Sequence, residues 1–357
     1  TRQGGRRRHA RRRGGRQVRS VRLLWPSGGQ RMPDGILERL ARGPVLGDGG
    51  YLLELEKRGY VQAGPFTPEV SLTHPEALAE LHREFLLAGA EVLQTLTFYA
   101  SENKLATVGL AGKVEELNRA AVRIARRVAA EGDALVAGNL SLTWAYDPAA
   151  AGSADRVREL FDRQLEPMVE EGVDFVIAET FTWLGEALLA AERIKAAGLP
   201  AMVTMAFEHQ PHSYEEYGPG DCVRRLQDAG ADIVGINCLR SPEHTLPLMR
   251  EVRAAVSGFI ACQPVAYRTP DHQHDFTALP EFPLALDPLQ LTRGEMAAYA
   301  TAAREIGIDY IGSCCGSVAC HVAAMAKALG KRSSEEREWR SRSGKPMSAY
   351  EHYKHDG

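Results

Sequence analysis

The sequence predicts a single-domain (β/α)8 barrel, and three observations carry that prediction. Eight short apolar runs recur between Val45 and Gly316, each ending in small or polar residues. Each run is followed by an amphipathic segment of helical period, which makes consecutive strands parallel and joined by crossovers. Eight such units close a barrel. No GxGxxG follows the first run, which counts against the dinucleotide-binding version of an open sheet.

In chain order the runs are VLGDGG (45–50), EVLQTLTF (91–98), ALVAGNLS (134–141), DFVIAETF (174–181), PAMVTMAF (200–207), DIVGINCL (232–239), GFIACQPVA (258–266) and YIGSCCG (310–316). Helices are expected at 74–88, 114–130, 154–171, 183–197, 221–229, 242–256, 293–306 and 317–329. The first of these shows the reasoning. In HPEALAELHREFLLAGA the apolar Leu78, Leu81, Phe85 and Ala88 recur at three- and four-residue spacing, and Gly89 stops the helix. His82, on the same segment, is expected at the surface or at an interface. The longest irregular stretch, 267–291, falls between the seventh strand and its helix. Connections of that length are usually lids or binding loops.

Three segments are expected: an Arg-rich extension (1–33), the barrel (34–330) and a short charged tail (331–357). Residues 1–33 hold eleven Arg and no acid, in a Gly/Arg-rich stretch without period, so disorder is expected there. Met32 is the first methionine and patterned sequence begins after it, so the arm is expected to lie outside the fold. Without the arm, 32 basic residues face 46 acidic ones, a net charge of -14. A body that acidic argues against nucleic-acid binding. No apolar run is long enough for a membrane span. The six cysteines sit in the last 40% of a large chain, which argues for a reducing compartment, the cytoplasm, and for thiol or metal chemistry over a disulfide framework.

A parallel barrel carries its active site at the strand C-termini. The polar residues there are Asp48, Gln94, Thr95, Thr97, Asn139, Ser141, Glu179, Thr180, Glu208, His209, Asn237, Cys238, Gln263, Cys314 and Cys315. Strands six and eight are separated by one strand, so Cys238 (GINC) can meet Cys314 and Cys315 (GSCCG) across the barrel mouth. Three thiolates around a tetrahedral Zn²⁺ leave one position open, as a catalytic site requires. Adjacent cysteines can both ligate only where the backbone turns, and Gly312 and Gly316 flank the pair. Buried cysteine is also an ordinary core residue. That is the reading given to Cys222, Cys262 and Cys320. A site of one Zn²⁺ and three thiolates has a formal charge of about -1 and suits binding a fourth thiol as its reactive thiolate. The implied reaction is alkyl transfer to a substrate thiol. Asp48 and Glu179 fit a substrate ammonium, and Gln94 and Thr95 fit a carboxylate. Tyr99 and Phe66 could form an aromatic wall for a quaternary or sulfonium methyl donor. Two rival readings remain: a structural zinc with a nucleic-acid-binding arm, and a Cys314–Cys315 redox pair.

From Gly35 to about Leu329 the chain resembles the betaine–homocysteine S-methyltransferases of the homocysteine methyltransferase superfamily. The segments that carry this are GDGGYLLELEKRGYVQAGPFTPE, HPEALAELHREFLLAGAEVLQTLTFYASENKL, EGDALVAGNLS, VDFVIAET, GINC, QPVAYRTPD, LPEFP and YIGSCCG. The resemblance implies Zn²⁺ on Cys238, Cys314 and Cys315, and homocysteine held by Asp48 and Glu179 with Thr95 near its carboxylate. It also implies Tyr99 beside the methyl groups of the donor. Two positions depart from it: Phe66 and Thr180 stand where those enzymes have a tryptophan and a tyrosine. Glycine betaine stays the lead donor. A sulfonium such as dimethylsulfoniopropionate or S-methylmethionine is the alternative. The family's extended C-terminal dimerisation arm is mostly missing, with SGKPMSAYEH as its remnant, which leaves a homo-oligomer open.

Overall fold

The computed structural model describes Thr1 and residues 34–331. The expectations placed on the Arg-rich arm and on the tail beyond 331 lie outside the described residues. Eight parallel strands form one sheet: β1 (Val45–Leu46), β2 (Val92–Gln94), β3 (Leu135–Ser141), β4 (Phe175–Phe181), β5 (Ala201–Met205), β6 (Ile233–Asn237), β7 (Phe259–Gln263) and β8 (Tyr310–Ile311). Their order is β1-β8-β7-β6-β5-β4-β3-β2. Glu91 joins the two ends of this order. Its N–H donates to Leu46 O at 2.9 Å, and its carboxylate accepts the Leu46 N–H at 2.8 Å. The barrel is therefore nearly closed, as the sequence predicts.

Strand alternation sorts the side chains into two cores. Val45, Val92, Leu135, Phe175, Met202, Ile233, Ala261 and Tyr310 point inward and pack on Ile36 and Leu40 of the helix Ile36–Leu40. Their neighbours Leu46, Leu93, Val136, Val176, Val203, Val234, Ile260 and Ile311 point outward, into the layer between sheet and helices. That layer explains why the strands read as continuous apolar runs: both faces are buried. The helix Pro75–Ala88 buries Leu78, Leu81 and Phe85 in it and ends at Gly89, whose φ of 105° is the left-handed C-cap.

The same alternation builds the site. Moving up the barrel by two-residue steps, the inward positions change from apolar to polar. Val92 gives way to Gln94, Ile177 to Glu179, Met202 to Thr204, Ala261 to Gln263 and, over two steps, Ile233 to Asn237. All five polar residues are buried. The apolar layer is the floor, and the polar layer lines the mouth.

The strands are shorter than the apolar runs at β1 and β8. Both runs continue into glycines that turn the chain into the mouth. At Gly47 a Cβ would meet the Tyr310 hydroxyl at 2.6 Å, and at Gly49 the Phe85 ring at 2.6 Å. No helix among the described residues is long and apolar enough to cross a membrane.

Candidate active site

The mouth opens into a cavity of about 820 Å³. On one side the three cysteines converge. Cys238, Cys314 and Cys315 bring their sulfurs within 4.8 Å of one another, and the Cys314 and Cys315 sulfurs are 4.0 Å apart. Zn–S bonds of about 2.3 Å in a tetrahedron place sulfurs about 3.8 Å apart, so the set fits a zinc ion and leaves room for a fourth ligand.

The backbone is bent to achieve this. Cys238 and Leu239 both adopt positive φ, 58° and 55°, a conformation that costs non-glycine residues about 1–3 kcal/mol each. Two neighbours hold it. The Cys238 N–H donates to Gln263 O at 2.8 Å, and the Arg240 N–H to Cys238 O at 2.7 Å. The Arg240 guanidinium is itself anchored on Phe207 O at 2.9 Å and His209 O at 2.7 Å. The adjacent pair turns as the flanking glycines suggested. The Ser317 N–H closes onto Cys314 O at 3.2 Å, and Gly316 has φ 81° with the Tyr267 ring where a Cβ would be. Gly50 presses on the pair from the other side: a Cβ there would lie 2.9 Å from Cys314 O. The hydrogen bonds among the three sulfurs act in both directions, raising one partner as they lower another, and with burial added all three thiols stand well above the ordinary cysteine range. A divalent cation is the partner that lets such a set ionise.

Beside the cysteines, Glu179 is held by three amides. Its Oε1 accepts from Gln94 Nε2 and Asn139 Nδ2, both at 2.6 Å, and its Oε2 from Asn237 Nδ2 at 3.1 Å. Burial pushes its pKa up to about 7 against the hydrogen bonds from Asn139 and Gln94. Two acceptor oxygens of the mouth, Asn139 Oδ1 and Gln263 Oε1, are buried without a hydrogen-bond partner. Glu179, Asn139 and Gln263 all line the cavity. The mouth therefore presents a carboxylate and two unpaired oxygens to an incoming N–H donor. Asp48 lies one layer back and is not among the lining residues. Its Oδ2 accepts from the Tyr51 hydroxyl at 2.5 Å and the Gln94 N–H at 2.7 Å, and burial raises its pKa to about 7. Thr95 lines the cavity with its hydroxyl 2.9 Å from that of Thr97.

Another part of the lining is aromatic. Phe98, Tyr99 and Trp144 stand in it, and Tyr146, Trp183 and Tyr214 continue it. Tyr99 and Trp144 lie 5.8 Å apart, Trp183 and Tyr214 5.2 Å. The 267–291 stretch contributes Asp275, Phe276, Thr277, Phe282 and Pro283 to the same cavity.

The structure separates the expected residues. It brings together Cys238, Cys314, Cys315, Glu179, Gln94, Thr95 and Tyr99. Phe66 is 38% exposed and outside the lining, although Ala63 and Gly64 belong to it. Two side expectations are corrected. His82 is fully buried, not at the surface, because the inner face of its helix reaches Tyr51, whose hydroxyl lies 2.9 Å from Nδ1. Cys320 is exposed, not packed, on the outer side of the helix Ala319–Ala328. Trp144, Tyr146, Trp183 and Tyr214 were missed. Their signal was present, as aromatics within a few residues of the β3, β4 and β5 ends.

Comparison with known proteins agrees with this architecture. Residues 45–329 match the family model for homocysteine S-methyltransferase. The chain is 47% identical over 317 residues to betaine–homocysteine S-methyltransferase 1 of Bos taurus, covering 85% of this chain and 77% of that one. It is 42% identical over 311 residues to an S-methylmethionine–homocysteine S-methyltransferase of Pongo abelii, covering 85% and 84%. The metallated homocysteine methyltransferase MmuM of Escherichia coli has the same fold, with TM-score 0.67 and 22% identity over 82% of this chain and 99% of that one. A barrel with this mouth, matched over nearly its whole length, belongs to the homocysteine S-methyltransferase family and is a methyltransferase.

Proposed function

We propose that the chain transfers a methyl group from a small onium donor to the sulfur of homocysteine, giving methionine, with Zn²⁺ as its metal. The observation that carries this reading is the convergence of Cys238, Cys314 and Cys315 beside the amide-held Glu179. Zinc held by these three cysteines would supply a Lewis acid that keeps a thiol ionised near neutral pH. The remaining work falls to the chain. Glu179, with Asn139 Oδ1 and Gln263 Oε1, takes the substrate ammonium. Asp48 fixes Gln94 and Tyr51 from behind. Gln94 and Thr95 stand nearest for the carboxylate. The aromatic wall holds the onium methyl groups through their positive charge. The sulfur displaces the leaving group in line: an S–CH₃ bond forms, the donor's bond to its methyl breaks, and its electron pair stays on the donor's nitrogen or sulfur, which leaves uncharged. Positioning supplies most of the acceleration.

Glycine betaine is the lead donor, supported by the several betaine enzymes at 45–47% identity. S-methylmethionine is the second reading, supported by the relative named for it. The three thiols must stay reduced, so the site belongs in a reducing compartment such as the cytoplasm. The test is methionine formation by zinc-loaded protein from homocysteine, with each donor supplied separately. Turnover that Cys238→Ala abolishes together with bound zinc is expected. A metal-free Cys238→Ala variant with full turnover would overturn the mechanism.

A further inference from the structure

One buried charge is not used by this chemistry. Lys104, on the short helix Glu102–Ala106, has no exposed surface. Its Nζ donates to Ser141 Oγ at 2.8 Å and to Phe98 O at 3.2 Å. It stands over three rings, 4.8 Å from the centroid of Phe98 and 5.0 Å from those of Tyr99 and Trp144. It makes no ion pair among the described residues. An ammonium buried in this way needs compensation, and here one hydroxyl, one carbonyl and three π faces provide it. Burial draws its pKa down to about 7, with the charges of Glu186 and Glu179 opposing.

The three rings are those of the cavity wall. Phe98, Tyr99 and Trp144 line the cavity, and Lys104 does not. The ammonium therefore lies behind the wall, joining three separate pieces of chain: the turn after β2, the end of β3 at Ser141, and the loop carrying Trp144. Trp144 needs such an anchor. It is 54% exposed, and its backbone has φ 64°. Tyr99 also feels the metal-binding set: burial raises its pKa to about 12, with Cys315 and Cys238 adding to the shift. Whatever fixes this wall sets where an onium group sits relative to the reacting sulfur.

We propose that Lys104 is a positioning residue for the methyl donor, its ammonium holding the Phe98–Tyr99–Trp144 wall from behind in the arrangement that receives an onium group. This deepens the functional reading above and rests on its assignment of the wall to the donor. Lys104 touches neither substrate, so its removal is expected to move one ligand only.

The experiment is a calorimetric titration at pH 6, below the Lys104 pKa of about 7, of the full-length, zinc-loaded wild type, Lys104→Met and Lys104→Arg with tetramethylammonium and, separately, with homocysteine. Lys104→Met keeps the length and apolar stem and removes the charge. It is expected to weaken tetramethylammonium at least about tenfold and leave homocysteine within about twofold. Lys104→Arg, which keeps a cation over the rings, is expected to recover most of the affinity. Equal tetramethylammonium affinity in wild type and Lys104→Met overturns the proposal, as does parallel loss of both ligands. Should Lys104→Met not fold, Ser141→Ala removes the hydroxyl acceptor, and the same split between ligands is expected. Steady-state assays separate the two levels. A wild type that makes no methionine from any onium donor defeats the functional reading, while the binding split still decides the role of Lys104.

Discussion

Asn237 donates from Nδ2 to Glu179 Oε2 at 3.1 Å, and the next residue in the chain is Cys238. One amide thus couples the carboxylate of the site to the turn that presents a candidate zinc ligand. Its other bonds run to the same strand ends. Oδ1 accepts from the Thr180 N–H and the Thr204 hydroxyl, both at 2.8 Å, and Nδ2 also donates to Thr180 Oγ1 at 2.7 Å. Asn237→Ala leaves several buried groups unpaired, each costing about 1–3 kcal/mol. The expected outcome is a destabilisation of about 2–4 kcal/mol and a rise in homocysteine KM of at least about tenfold. Urea unfolding and steady-state kinetics measure both. An unchanged KM would mean that Glu179 keeps its place without this partner.

Gly50 tests the cysteine pair without replacing either of its residues. A Cβ there would sit 2.9 Å from Cys314 O and 3.2 Å from the Cys315 Cα, which are backbone atoms with little freedom to move. Gly50→Ala is expected to displace the pair and destabilise the fold by about 1–3 kcal/mol. Bound zinc per chain, measured by metal analysis after dialysis, should fall. Full zinc content at unchanged stability would show that the GSCCG turn has more slack than its packing indicates.

The aromatic wall gives a contrast between two variants. Phe66 lies outside the cavity lining and Trp144 within it. Phe66→Ala is therefore expected to leave the donor KM within about twofold. Trp144→Ala removes a ring face worth about 0.5–2 kcal/mol to a cation, a rise of roughly two- to thirtyfold in donor KM. Kinetics at saturating homocysteine decide the matter. A large effect of Phe66→Ala would mean that the 58–66 segment closes over the donor during turnover.

What the sequence discloses and what it hides follow from the range of each signal. Apolar runs and helix period are local, so Val45, Val92 and Phe175 declare their strands, and Leu78, Leu81 and Phe85 declare a helix face. The cysteines were legible because two strand ends one strand apart must meet at a barrel mouth. Trp144 and Trp183 sit on turns past the strand ends, where no periodicity assigns a ring to the mouth over the surface. Phe66 reads as part of the aromatic wall, and the structure leaves it 38% exposed and outside the cavity lining. His82 and Lys104 were hidden for one reason: a polar residue on an amphipathic helix reads as solvated unless its partner is known. Those partners are Tyr51, distant in sequence, and the Phe98, Tyr99 and Trp144 rings.

His82 carries a prediction of its own. Its Nδ1 lies 2.9 Å from the Tyr51 hydroxyl, which donates to Asp48, so the imidazole is the donor and its proton is on Nδ1. Nε2 is buried without a partner. Protonating it would bury a charge beside no acceptor, and burial pulls its pKa down to about 3 from 6.5. Between those values the unfolded chain binds a proton that the folded chain does not, so stability rises with pH across this window. The contribution is fully present above about pH 6.5 and is lost as the pH falls toward 3. Asp48 and Glu179, both raised to about 7, act in the opposite direction over part of the range. A comparison with His82→Leu isolates the histidine. From pH 7 to pH 5 the wild type is expected to lose about 2 kcal/mol more stability than the variant. Urea midpoints at the two pH values measure it. Parallel slopes would mean that His82 gains a proton in the folded state, with Nε2 reaching water or an acceptor through local opening of the helix Pro75–Ala88.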